Sequence, residues 1–427
     1  MTAAAERDAA AFDAADLLAP HRAKFVAAPD VAAYLDGNSL GRPLRASVER
    51  VSAFLGEQWG VRLIRGWGSG GDGGGDGGSG GGSGGGSDDG RGGGWLELPL
   101  NIGDELGRVA LGVAPGQITI GDSTTVLLYK LVRAALDARP GRREIVIDRD
   151  NFPTDRYLVE GIAAERGVTI RWIETDAAAG VTPEQVAEAV GPDTALAVLS
   201  HVAYRSGFLA DVAAITEIVQ ASGALVLWDL SHSVGVVPTQ LDAWGVDLAV
   251  GCTYKYLNGG PGSPAFCYVR AELQGELHQP IWGWLGSRAP FEMGQGYQPA
   301  DGIRAFLSGT PSIVGMLAMQ DMIALIGEVG IDAIRAKSVA LTEYAISLVD
   351  ELLPEAELAT PRDADRRGSQ VTINHDSFAD IMPLLWERGV IPDFRRPNGI
   401  RLGLSPLSTS FAEVAVGIRA IAKLAVP

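Results

Sequence analysis

Between residues 116 and 270 seven short apolar runs follow one another: QITIG (117–121), EIVID (144–148), VTIRWI (168–173), TALAVLS (194–200), ALVLWDL (224–230), DLAVGCTY (247–254) and PAFCYV (264–269). Helix-like segments such as TTVLLYKLVRAAL and DVAAITEIVQAS separate most of them. Strands that are apolar throughout are covered on both faces. Their alternation with helices points to βαβ units and a mainly parallel sheet. The last two runs have no helix between them, so one antiparallel member is expected. An α/β fold of this kind places ligands at the carboxyl ends of its strands.

After residue 310 the pattern changes. Two long helical stretches (about 311–328 and 331–352) precede strand-like SQVTINH, helix-like FADIMPLLWERG, strand-like GIRLGLS and a last helix at 411–425. This predicts a smaller C-terminal α+β domain. The expected division is an N-terminal segment 1–50 packing with the small domain, a large domain 51–305, and the small domain 306–427.

Composition narrows the partners. The chain holds 52 acidic against 35 basic residues, a net charge of −17. That charge repels phosphate backbones and anionic membrane surfaces, so neither nucleic acid nor membrane is expected. No apolar run reaches the roughly 18 residues of a spanning helix. The opening MTAAAERDAAAFDAADLL has neither the basic nor the apolar part of a secretory signal. Cys252 and Cys267 make no disulfide framework and no cysteine zinc site. His21, His201, His232, His278 and His375 are scattered without an HExxH pair. A reducing cytoplasm and no metal site are the expectations. Only five of the basic residues are lysines, so each can be weighed by itself.

Of the 27 residues 68–94, 18 are Gly, and the rest are 4 Ser, 4 Asp and 1 Arg. Such a stretch has nothing to bury and much backbone entropy to lose, so disorder is expected. Trp67 and Trp95 flank it, and neither flank reads as a domain end, which favours an inserted loop.

Four places can carry chemistry. Lys255 follows an apolar run, sits between Tyr254 and Tyr256, and precedes a glycine-rich turn. A lysine at a buried strand end is costly unless neutralised or used covalently, and Schiff-base chemistry with an aldehyde cofactor does both. Alone it reads more readily as a surface lysine beside a loop. Asp229 ends the strand ALVLWDL, with Ser231 and His232 just beyond. An Asp there can keep a pyridinium nitrogen protonated, or can simply cap a turn. Gly121-Asp122-Ser123-Thr124-Thr125 joins a strand to a helix, where hydroxyls and free N–H groups bind phosphate or cap the helix. Phe152, followed by Pro153, Thr154 and Asp155, can stack on a flat ring or belong to the core. Gly37-Asn38-Ser39-Leu40-Gly41 matches the G-x-S-x-G nucleophile elbow. However, few strands can precede it and Pro43 interrupts the expected helix, so a serine hydrolase is disfavoured.

YLDGNSLG (34–41), FPTD (152–155), WDLSHSVG (228–235), VGCTYKYLNGGPG (250–262) and GWLG (283–286) occur in this order. With them the chain resembles the kynureninases over nearly its whole length outside the Gly-rich segment. These are pyridoxal 5′-phosphate (PLP) enzymes of fold type I, in the class V aminotransferase-like group. The resemblance implies a homodimer with its active site near the subunit interface, acting in tryptophan catabolism. The reaction implied is hydrolysis of a small molecule, L-kynurenine or its 3-hydroxy form, to anthranilate or 3-hydroxyanthranilate and L-alanine.

The resemblance also implies roles. Lys255 would form the Schiff base and move protons. Asp229 would pair with the pyridine nitrogen, and Phe152 would stack on the ring with Pro153, Thr154 and Asp155 close by. Thr124 and Thr125 match the phosphate side, and Tyr254 would bond the phosphate. Ser200, His232, Trp284 and Thr310 match further cofactor contacts, some from the neighbouring subunit. Arg401, in PNGIRLG, matches the arginine that grips the substrate α-carboxylate. Two features depart from the family pattern. Ser287 stands where a His usually follows GWxG, and the Gly-rich segment interrupts a normally short Trp-to-Trp link. Another class V activity, or a modified kynurenine as substrate, is the alternative reading.

Overall fold

A computed structural model describes residues 2–68 and 94–425. The Gly-rich segment lies outside the described residues apart from Gly68 and Gly94. Its two ends meet. The Trp95 N–H donates to the Gly66 carbonyl at 2.9 Å, and the Trp67 and Trp95 rings pack edge to face at 5.5 Å.

The strands in chain order are β1 (Ala33–Leu35), β2 (Ile118–Gly121), β3 (Glu144–Asp148), β4 (Thr169–Ile173), β5 (Thr194–Ser200) and β6 (Leu225–Asp229). They continue with β7 (Leu248–Gly251), β8 (Ala265–Val269), β9 (Glu357–Leu358), β10 (Gln370–Asn374), β11 (Val390–Arg395) and β12 (Gly399–Gly403). A seven-stranded sheet has the order β2-β8-β7-β6-β5-β3-β4. β7, β6, β5, β3 and β4 run parallel. β8 is antiparallel to both β7 and β2.

The period of two explains why these strands read as unbroken apolar runs. Val226 and Trp228 of β6 enter one core, with the helices Val212–Ala221 and Ile313–Val329, while Leu225 and Leu227 enter the other. That second core contains the helices Thr124–Ala138 and Pro153–Arg166. Both faces are therefore dry, and each alternate residue has an apolar destination. One expected strand is shorter than its apolar run. β7 stops at Gly251, because Thr253 turns away to bond the Pro264 carbonyl (2.6 Å) and Ser263 Oγ (2.7 Å).

A second sheet, β1-β11-β12-β10-β9, has its own core with the helices Ile331–Leu352, Phe378–Glu387 and Phe411–Ala425. β1 from the N-terminal segment joins its edge parallel to β11. That pairing places the YLDGNSLG motif against the large sheet's strand ends: the Gly41 N–H donates to the Tyr254 carbonyl at 2.9 Å.

Candidate active site

The carboxyl ends of β3, β5, β6 and β7 open into one cavity of about 450 Å³. Lys255 and Asp229 both face it, and both are buried. Lys255 arrives from the turn after β7 and Asp229 from the last residue of β6.

His232 sits beside them, in the turn after β6. Its Nε2 lies 2.9 Å from Lys255 Nζ and its Nδ1 3.1 Å from Gln370 Oε1. The amide of Gln370 is oriented by its nitrogen, which donates to the Tyr204 carbonyl at 3.0 Å, and its oxygen also accepts from Asn38 Nδ2 at 2.7 Å. An amide oxygen can only accept, so His232 carries its proton on Nδ1 and offers a lone pair at Nε2 to the lysine. Burial, and then the neighbouring charges of Lys255 and Arg401, hold this imidazole well below its ordinary pKa. It is a neutral acceptor.

Three carboxyl groups gather near the same floor. Asp229 is held by the Ser231 N–H on its Oδ1 at 2.7 Å. Asp155 is buried in the first turn of its helix, and its Oδ2 has no partner among the described residues. Burial, reinforced by Asp229 and Asp148, pushes the Asp155 pKa well up, and its carboxyl faces the cavity. Burial likewise raises Asp148, behind it, to about 7.

Phe152 precedes that helix, and Pro153 takes its first turn, where no N–H is needed. Asn151 fixes this corner: its Oδ1 accepts from the Phe152 N–H (2.7 Å) and from Ser200 Oγ (3.0 Å). Lys255 Nζ stands 5.6 Å from the centre of the Phe152 ring. Thr154 and Ser200 complete this side.

On the opposite side Thr124 and Thr125 open the helix Thr124–Ala138 after Ser123, whose side chain caps it by accepting the Val126 N–H. The capping alternative for this loop is therefore seen, and the same residues, Asp122 to Thr125, line the cavity. Ser308, Gly309 and Thr310 face it across the opening. The Tyr254 phenol also lines the cavity, and burial raises its pKa, so it stays protonated.

Three expected residues lie outside the cavity lining. Pro153 has the helix-starting place just described. Trp284 packs with Leu285 and Leu307 and meets the Phe291 ring edge-on at 5.8 Å. Arg401 on β12 is fully buried behind Tyr204. Its Nη1 donates to the Tyr204 carbonyl (2.6 Å) and its Nη2 to Ser39 Oγ (2.8 Å), with Asp393 Oδ2 2.7 Å away. Its Nε–H has no partner among the described residues. Burial and the nearby Arg395 lower its pKa to about 10, which leaves it charged at neutral pH.

Sequence reasoning missed several groups here. Asp122, Tyr204 and Ser308 line the cavity, and Gln370 sets the His232 tautomer. Asp122 lay inside a motif already singled out. Ser39 lay inside the G-x-S-x-G string, where its role proves to be bonding Arg401. Gln370 and Tyr204 had no local signal.

Residues 119–391 match the family model described as aminotransferase class-V. The chain is 40% identical over 415 residues to a kynureninase of Burkholderia pseudomallei, covering 95% of this chain and 92% of that one. It is 38% identical, with the same coverage, to a kynureninase of Pseudomonas fluorescens. Among solved structures it resembles a C-DES mutant with glycine covalently linked to its PLP cofactor. That likeness has a TM-score of 0.74 at 19% identity, and covers 94% of this chain and 99% of that one.

Proposed function

Since the chain belongs to the kynureninase family, on the class V aminotransferase fold, we propose that it binds PLP in this cavity and hydrolyses the Cβ–Cγ bond of kynurenine. The products are anthranilate and L-alanine, or 3-hydroxyanthranilate from the 3-hydroxy substrate. One observation carries the assignment of the site: Lys255, Asp229 and a helix start rich in hydroxyls converge on a single cavity. The donor set suits a small phosphorylated aldehyde. It offers one primary amine, an unpartnered buried carboxyl oxygen on Asp155, and a helix start with two threonines for an anion.

When bound, PLP supplies an electron sink that makes the bonds at the substrate's α- and then β-carbon labile. The chain's residues position and move protons around it. Lys255 would anchor the cofactor and shuttle the proton at the α-carbon, with neutral His232 accepting a hydrogen bond from its Nζ. Asp229 would hold the ring nitrogen protonated, with Asp155 beside it and Phe152 on the ring face. Thr124, Thr125 and the Tyr254 phenol would hold the phosphate, and Ser200 would bind near Phe152. Arg401 would take the substrate α-carboxylate, its unpartnered Nε–H being the free donor.

The test is product formation. Protein with PLP is mixed with L-kynurenine and separately with 3-hydroxykynurenine, and aryl product and alanine are followed. Turnover that vanishes in Lys255→Ala is expected. Absence of turnover with both substrates, in protein that carries the cofactor, would overturn the reading.

We further propose a homodimer. An apolar groove lined by Trp59, Leu63 and Ile64 adjoins the cavity through Pro311 and Ser312, and these apolar side chains are exposed. The neighbouring subunit would then supply some of the cofactor contacts expected of Ser200, His232, Trp284 and Thr310. Sedimentation of a monomer at micromolar concentration would refute this. Two separate cores support a large and a small domain, but the helix Ile313–Val329, with Phe25 and Leu44, packs in the large sheet's core, so the large domain reaches past 305 and takes in part of segment 1–50. A cytoplasmic location is supported by two buried free thiols, Cys252 and Cys267. Among the described residues no single helix is long and apolar enough to cross a membrane.

A further inference from the structure

Lys130 is a second lysine at this cavity, and the reaction has no use for it. It lies on the helix Thr124–Ala138, fully buried, and does not reach the cavity surface. Its Nζ donates to Asp122 Oδ2 and to the Phe306 carbonyl, both at 2.7 Å. The same Asp122 oxygen accepts from Ser308 Oγ at 2.9 Å. Asp122 and Ser308 line the cavity from opposite sides, one in the helix-start loop and the other in the segment that leads to Thr310.

An acidic side chain is an odd tenant for a phosphate cradle. Asp122 also holds a left-handed backbone, with φ +48°, which Asp and Asn tolerate better than most residues. Its carboxylate ties the two loops together through Ser308. Its charge, however, opposes a phosphate dianion nearby, since like charges within a few ångströms repel.

We infer that Lys130 is a positioning residue for the cofactor's phosphate end: it neutralises Asp122 from behind and thereby keeps the Asp122–Ser308 tie compatible with a bound phosphate. The inference rests on the reading that the phosphate lies at residues 122–125. Because Lys130 does not line the cavity, its effect passes through the groups it bonds, Asp122 and the Phe306 carbonyl, and the double variant below isolates the Asp122 part.

The test compares dissociation constants of PLP and of pyridoxal, which lacks the phosphate, by equilibrium dialysis of the full-length chain stripped of cofactor. Lys130→Met should weaken PLP by about tenfold or more and pyridoxal by less than about twofold, because a carboxylate that has lost its cation then faces the phosphate. Adding Asp122→Asn to Lys130→Met should recover most of the lost PLP affinity. Equal loss of PLP and pyridoxal in Lys130→Met, or no recovery in the double variant, would overturn the inference. Should Lys130→Met not fold, as judged by circular dichroism, Asp122→Asn alone decides: PLP affinity at or above that of the unaltered chain supports the inference, and weaker affinity overturns it. Thr125→Val checks the premise separately. Loss of PLP but not pyridoxal affinity places the phosphate at this loop. Unchanged PLP affinity overturns the premise, and with it the inference.

Discussion

Replacing Gly41 by alanine tests how the N-terminal motif governs the reacting lysine 214 positions away. Gly41 packs under the turn that carries Lys255. A β-carbon built on it would meet the Lys255 carbonyl oxygen, and would lie 2.7 Å from Asn258 Cγ. Ordinary contact begins near 3.4 Å, so the turn must retreat by roughly 1 Å. Asn258 resists, being held in the left-handed region at φ +52° while its Nδ2 donates to the Arg42 carbonyl at 2.6 Å. Overpacking of this sort costs about 1–3 kcal/mol of stability. That is too little to unfold most proteins of this size. A displacement near 1 Å at a reacting group can, however, cost about 100-fold in rate. Gly41→Ala is therefore expected to fold, bind PLP, and lose about two decades of kcat. Gly161→Ala is the control. It lies inside the helix Pro153–Arg166 with open space around a new β-carbon, and should raise stability by about 0.5–1 kcal/mol with activity unchanged. The assay is anthranilate fluorescence under saturating kynurenine, with circular dichroism for the fold. A Gly41→Ala protein as active as the control would refute the argument that this close approach positions Lys255.

Two further predictions follow from burial and charge. Asp148 has its pKa raised by burial to about 7, whereas an unfolded Asp titrates near 4. Between about pH 4 and 7 the folded chain keeps a proton that the unfolded chain has lost, so this group makes stability fall as pH rises through that window. Asp148→Asn should thus stabilise by up to about 4 kcal/mol at pH 8 and not at all at pH 4; melting curves with an equal gain at both pH values would contradict this. Arg401→Lys cannot reproduce a fork that reaches Tyr204, Ser39 and Asp393 at once. It should raise KM for kynurenine about tenfold or more and leave the PLP dissociation constant unchanged, and an unaltered KM would remove Arg401 from the substrate's path.

Much of the large domain was legible because its information is local. Each strand from β2 to β8 other than the edge strand β4 is an apolar run, since both faces of the sheet are covered there; β4 leaves Thr169 and Arg171 exposed. Asp229, Lys255 and the Thr124–Thr125 turn stood out because polar residues directly after such runs must lie at strand ends, where the fold leaves a crevice. β11 escaped notice because VIPDFR carries a proline and two charged side chains, and β1 because three residues show no period. Both owe their strand form to the partner they pair with.

The groups around Arg401 and His232 could be found only in the folded molecule. Gln370 sets the proton on His232 from 138 positions away, and Asn38 bonds Gln370 across 332. Ser39 meets Arg401 across 362. Such contacts depend on how the second sheet docks against the strand ends of the first. That docking is decided by the summed packing of two cores, which leaves no period or spacing in the chain. The sequence by itself determined the sheet, its dry faces and the residues at its strand ends. Tertiary structure alone decided which distant side chains complete them, because a buried hydrogen bond is chosen by whatever partner the packing brings within about 3 Å.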